Sequence, residues 1–141
     1  MKLIPNTYNP YQKHAEALFV LLFGGVTYYG IETLGRGWSH WSMAICGAIC
    51  FFFLYRLNER YPRVSLPFRA LAGAIFITVT ELLAGCLLNL GMGLEIWDYS
   101  GLPYQFLGQI CLPYSILWFL LCFPSALICR LIRRVVFLRN D

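Results

Sequence analysis

The sequence predicts an all-α, polytopic membrane protein with four transmembrane helices arranged as two similar helical hairpins, and three observations carry that prediction. Only 13% of the 141 residues are charged, while 59% are hydrophobic and 17% aromatic; a soluble domain carries roughly a quarter charged residues. Four apolar stretches, residues 15–34, 38–57, 66–90 and 106–128, each reach the length of about 20 residues that a helix needs to cross a hydrocarbon core about 30 Å thick. The eleven Lys and Arg residues are also unevenly placed. Lys2 and Lys13 precede the first stretch, Arg56, Arg60, Arg63 and Arg69 surround the junction of the second and third, and Arg130, Arg133, Arg134 and Arg139 follow the fourth. Only Arg36 belongs to the other side, so the positive-inside rule puts both termini and the central loop in the cytoplasm.

The N-terminal run MKLIPNTYNPYQKHAEA is polar and carries two prolines before any apolar stretch, which does not read as a cleavable signal. It reads as an amphipathic or irregular lead-in, with Tyr8, Tyr11 and His14 suited to the interfacial belt. In the first span Gly24, Tyr28, Glu32 and Arg36 recur at steps of four and share a helix face. Glu32 and Arg36 can pair within that face or present themselves together to a ligand. The outer loop RGWSHWS supplies Trp38, Trp41 and His40, the histidine being a candidate proton acceptor or a packing residue. Ala44, Gly47 and Ala48 give the second span a small face for close helix approach. The central loop RLNERYPRVSLPFR is read first as the orientation signal and second as a surface attracted to anionic lipid headgroups.

The third span carries the strongest functional pointer, Glu81, deep in an apolar run. A carboxylate at the centre of a spanning helix costs about 2.5 to 3.5 kcal/mol on insertion scales, so such groups face protein or a wet cavity. Thr78, Glu81, Gly85 and Asn89 form a polar and small stripe running toward the outer side. The following segment, Trp97, Asp98, Tyr99 and Ser100, is expected to cap an outer mouth, with Asp98 placed to pair with Arg36 and the aromatic rings forming a wall. Pro113 and Pro124 fall inside the expected fourth span, where a proline removes a backbone hydrogen bond and can kink a helix. Aligning Glu81 with Glu32, and Gly108 and Cys111 with Gly47 and Cys50, suggests a parallel repeat of the two hairpins. The four spans are expected to form one transmembrane domain over residues 1–141.

Cys46, Cys50, Cys86, Cys111, Cys122 and Cys129 all lie in or at the ends of the spans, where they read as small core residues; no zinc-type spacing occurs, and no metal or organic cofactor is expected. The net charge of +4 follows from the orientation signal and leaves no nucleic-acid footprint.

The run WDYSGLPYQFLGQICLPYSILWFLL, with ETLGRGWSHWSMAICGAICF and TELLAGCLLN, resembles a bacterial family of ABC-transporter permeases, the CmpB-like or type IV group. The resemblance covers about Tyr28 to Leu121, and it implies a small protein of the bacterial inner membrane with Glu32, Glu81, Trp97, Asp98 and Tyr99 at matching positions. The chain has no phosphate-binding P-loop, so an ATPase would be a separate subunit. Three functions are then open. A homodimeric transporter would bind a small or amphipathic substrate through Glu32, Arg36, His40, Glu81, Asn89, Trp97, Asp98 and Tyr99. A membrane-embedded enzyme would use Asp98, His40, Glu32 and Arg36 in acid/base chemistry on a lipid or isoprenoid. A non-catalytic lipid-binding or scaffold protein would use the polar stripe for helix association.

Overall fold

The computed structural model describes residues 9–139, so Lys2 and Tyr8 lie outside the described residues. Four helices are long and apolar enough to cross a membrane: α1 (Pro10–Arg36), α2 (Trp41–Arg60), α3 (Leu66–Gly85), continued by a π-helical segment Cys86–Gly91, and α4 (Leu112–Leu131), continued by a π-helical segment Ile132–Val136. The chain is a multi-pass membrane protein. A short antiparallel pair, β1 (Gln105–Phe106) and β2 (Ile110–Cys111), lies in the long connection between α3 and α4.

Local chemistry sets the helix ends. Asn9 caps α1 by accepting from the Tyr11 N–H at 3.1 Å, while Gln12 Oε1 accepts from the Asn9 N–H at 3.2 Å, a reciprocal capping box that extends the helix back to Pro10. The lead-in around Tyr11 and His14 is therefore helical. Gly37, at φ 81°, ends α1 in the left-handed conformation that glycine adopts without steric cost. The largest boundary correction concerns α4, which begins at Leu112, six residues after the expected start at Phe106. Pro113 stands in the first turn of α4, where its missing N–H has no intrahelical partner to lose and the extended Cys111 is the N-cap, so it is tolerated at the start of α4 and does not kink it. Pro124 does fall inside α4 and removes one backbone donor there. At the other junction Arg56 and Arg60 belong to α2 and Arg69 to α3, which leaves Arg63 as the one arginine of the four in the connection itself.

The tightest pairings are α1 with α2 and α3 with α4, so the four helices stand as two hairpins. Between α1 and α2 the backbones approach at Gly24, Gly25 and Gly47; a Cβ on Gly47 would fall 2.5 Å from Tyr28 Cβ. Close approach through small residues is how helices associate where lipid gives no hydrophobic drive. In the second hairpin Gly73 of α3 meets Cys122 of α4 and Leu54 of α2. The register of the two hairpins differs from the alignment of Gly47 with Gly108, because Gly47 is in mid-helix while Gly108 lies in a loop turn at φ 69°. Twenty residues of connection, 92–111, separate α4 from the end of the third span, and only four, 37–40, separate α2 from α1.

Interior packing is thin and the outside is greasy. Val20, Tyr55, Cys129 and Ile132 form one buried cluster, Leu54, Ala70 and Cys122 a second, and Met43, Ile96 and Trp97 a third beneath the long connection. Leu22, Val26, Ile75, Leu87 and Leu120 are among many large apolar side chains left more than half exposed, the surface a spanning helix turns to lipid.

Candidate functional site

Of the side chains singled out in the sequence, Glu81, Asn89, Trp97 and Tyr99 are linked by hydrogen bonds in and beneath the 92–111 connection. Asn89 organises this connection. It sits in the π-helical segment that continues α3, a geometry that recurs at functional sites. Its amide donates to the carbonyl of Trp97 at 3.1 Å and to Gln109 Oε1 at 2.8 Å, and its own oxygen accepts from the Ile96 N–H at 2.7 Å. Trp97 in turn donates its indole N–H to the Gln109 carbonyl at 3.0 Å, and the Tyr99 N–H reaches the Gly108 carbonyl at 2.7 Å. Gln109 can approach α3 because residue 85 is glycine; a Cβ there would lie 2.5 Å from Gln109 Oε1. The connection is thus a bolted cap. Three of its non-glycine residues, Glu95, Tyr104 and Leu107, hold φ values of 49°, 53° and 55°, and backbone of that kind persists only where the surroundings impose it.

Glu81 lies directly below. Its carboxylate takes a hydrogen bond from the Tyr99 hydroxyl at 2.7 Å on one oxygen and from the Trp118 indole N–H at 3.2 Å on the other, tying the cap to α4 through α3. A carboxylate has about four lone-pair sites, so each oxygen keeps acceptor capacity beyond these two donors. Tyr99 stacks on Tyr114 with centroids 4.7 Å apart, and Tyr28 of α1 faces Trp118 at 6.3 Å. Burial and the adjacent Glu81 carboxylate push the Tyr99 hydroxyl above the ordinary tyrosine range, so it stays a donor throughout the physiological range.

Glu81 borders a cavity of about 250 Å³ between the hairpins, walled by all four helices. Tyr28, Thr80, Trp97 and Trp118 are its other polar-tipped walls near Glu81, and toward Leu54 and Ile128 it becomes apolar. One hydrogen-bonding corner in an otherwise hydrophobic slot is the usual chemistry of a small-molecule site.

Not every predicted residue joins it. Glu32 and Arg36 pair within α1 at 3.3 Å, and Glu32 also accepts from Ser39 Oγ at 2.6 Å. Arg36 donates to the Ile96 carbonyl at 2.9 Å and lies 4.8 Å over the Trp38 ring, so it braces the cap from the α1 side. The expected pair of Asp98 with Arg36 is not formed. Asp98 is exposed and turns back to accept from the Ser100 N–H at 2.9 Å, a local Asx turn whose hydrogen bond holds its carboxyl below the usual carboxylate range. His40 is the N-cap of α2: its Nδ1 accepts from the Ser42 N–H at 3.3 Å and lies 2.7 Å from Ser42 Oγ. Of Asp98, His40, Glu32 and Arg36, only Glu32 and Arg36 are paired with each other, while Asp98 and His40 are engaged in a local turn and a helix cap.

Ser39, Gln109, Tyr114 and Trp118 are contributions the sequence reading did not single out, while Tyr28 was read only as part of the α1 face it shares with Glu32 and Arg36. Trp118 carried a signal of its own: well inside a span, away from the headgroup belt, a tryptophan N–H needs a partner, and Glu81 was available.

A family model described as "Putative ABC-transporter type IV" matches residues 42–138, more than half of the chain. The chain belongs to this family. The match takes in the whole of α3, α4 and the cap, with nearly all of α2, so every wall of the cavity except α1 lies within the type IV region. No curated protein and no solved structure matches this type IV chain.

Proposed function

We propose that this chain is the membrane subunit of a transporter, binding a small or amphipathic substrate in the cavity under the cap, with Glu81 as the polar anchor, Trp97 as an aromatic wall and Tyr99 holding the Glu81 carboxylate from the cap. The observation that carries this reading is the position of the Glu81 carboxylate: it faces a cavity enclosed by both hairpins, where transporter ligands bind at the interface of repeats. Glu32, Arg36 and Asn89 hold the cap over that cavity, while Asp98 and His40 shape its rim by local turns and caps. A transport role driven by ATP needs a separate ATPase subunit, and a homodimer supplies the larger number of spans that a translocation path demands.

The test is tryptophan emission. Trp97 and Trp118 both line the cavity, so a brominated long-chain alkyl amphiphile entering it quenches them saturably, and Ala84→Phe, which fills the upper part, removes the saturable component. Quenching that stays linear with probe concentration, identical in both proteins, means that the cavity takes no ligand.

The same reading places the chain in the bacterial inner membrane with both termini cytoplasmic, supported by the cluster of Lys and Arg at the terminal end. A phosphatase reporter fused after Gly101 is then active and one fused after Arg63 is silent; the reverse pattern inverts the topology.

A further inference from the structure

At the opposite end of the bundle a second hollow, about 540 Å³, opens between α1, α2 and the C-terminal segment. Four cations line it, Lys13, Arg56, Arg60 and Arg139, against two carboxylates, Glu16 and Glu59. Both carboxylates are already engaged. Arg139 Nη1 bridges Glu16 Oε1 at 2.9 Å and Glu59 Oε1 at 2.6 Å, Arg56 pairs with Glu59 Oε2 at 2.8 Å, and the Tyr55 hydroxyl donates to Glu16. Lys13 and Arg60 make no ion pair with any described residue, and both are exposed. The hollow therefore has two positive charges that no carboxylate of its own neutralises. Its remaining wall is apolar, formed by Ala17 and Phe52.

Depth identifies the ligand. A helix rises about 1.5 Å per residue, so the 27 residues of α1 span about 40 Å, some 10 Å more than the hydrocarbon core. Lys13 in the first turn of α1 and Arg60 at the last residue of α2 thus stand at headgroup level, while Phe52, two turns deeper on α2, reaches acyl depth. We infer that this hollow is a binding site for an anionic phospholipid: Lys13 and Arg60 take the phosphate, and Phe52 and Ala17 support the first methylenes of a chain. A basic pocket between spanning helices is the arrangement that captures anionic headgroups. The site is independent of the cavity at Glu81 and does not rest on the transport reading.

The experiment uses the full chain in detergent, with bound lipid counted by native mass spectrometry during titration with phosphatidylglycerol or with phosphatidylcholine. Phosphatidylglycerol binds preferentially, and Lys13→Gln and Arg60→Gln each weaken it about fivefold, the effect of one cation near a charged surface. Lys13→Arg with Arg60→Lys retains binding, because the charge is kept. Arg63→Gln, a basic residue of the same end but outside the hollow, leaves binding unchanged. Equal binding of the two lipids, a loss with Arg63→Gln as large as with Arg60→Gln, or wild-type binding in both single variants would each overturn the site. Displacement of the lipid by inorganic phosphate would also overturn it, by showing a site for the free anion.

Discussion

Glu81→Ala is expected to loosen the cap from the helices and to abolish saturable binding in the cavity beneath it. The substitution leaves the Tyr99 hydroxyl and the Trp118 indole N–H without their acceptor. A buried donor left unpaired costs about 1–3 kcal/mol in soluble proteins, whereas hydrogen bonds measured in a membrane bundle average about 0.6 kcal/mol. With Trp118 at the lipid-facing depth and Tyr99 in the cap, a total near 2 kcal/mol follows, seen as a lower midpoint in unfolding by an anionic detergent. Glu81→Gln retains one carbonyl oxygen, so it accepts from one of the two donors and loses about half as much. The binding assay separates roles that stability does not: quenching retained in Gln and lost in Ala assigns hydrogen bonding, and quenching lost in both assigns the charge. Unfolding midpoints equal for all three proteins would remove Glu81 from the architecture of the cap.

Asn89→Leu has the second large effect, and it falls on the cap itself. Leucine matches asparagine in size but offers neither donor nor acceptor, so the Ile96 N–H, the Trp97 carbonyl and Gln109 Oε1 lose their partner together. At about 1 kcal/mol or more for each buried group, the cap is destabilised by roughly 3 kcal/mol. Enough strain is held in its backbone, at Glu95, Tyr104 and Leu107, that it should then open locally while the helices persist. Limited proteolysis reads this directly: cleavage within 92–111 appears in Asn89→Leu under conditions where the wild type is resistant. Asn89→Asp distinguishes shape from chemistry, since it keeps the acceptor for Ile96 but sets a carboxylate against the oxygens of Trp97 and Gln109. A protease-resistant loop in both variants would show that the cap is held by its apolar underside, Met43, Ile96 and Trp97, alone.

How legible the site was depended on whether its residues interact along one helix or across the chain. The Glu32–Arg36 pair was readable because a spacing of four fixes it on any α-helix. Glu81 and Asn89 were readable as polar groups that hydrocarbon will not tolerate alone. Their partners were not. Nothing in the run from Trp97 to Trp118 states that Tyr99 and Trp118 meet the two oxygens of one carboxylate, or that Gln109 reaches Asn89 past Gly85. Asp98 was assigned to Arg36 on opposite charge alone; the nearer Ser100 N–H lies two residues along the chain and needs no loop closure, so the Asx turn forms there. His40 was open to a proton-transfer role until its ring was found capping α2.

By itself, then, the sequence determined the membrane class, the number of spans and their alternating direction, because those follow from apolar length and from the cost of charge in lipid, which are local properties of the chain. Only the tertiary structure decided that the 92–111 connection folds into a cap pinned by Asn89, that one carboxylate of the two faces a cavity, and that Glu16, Glu59 and Arg139 meet across most of the chain's length. Those contacts join residues far apart in sequence, and their partners are set by the crossing of helices and the path of a loop, which no periodicity or spacing encodes.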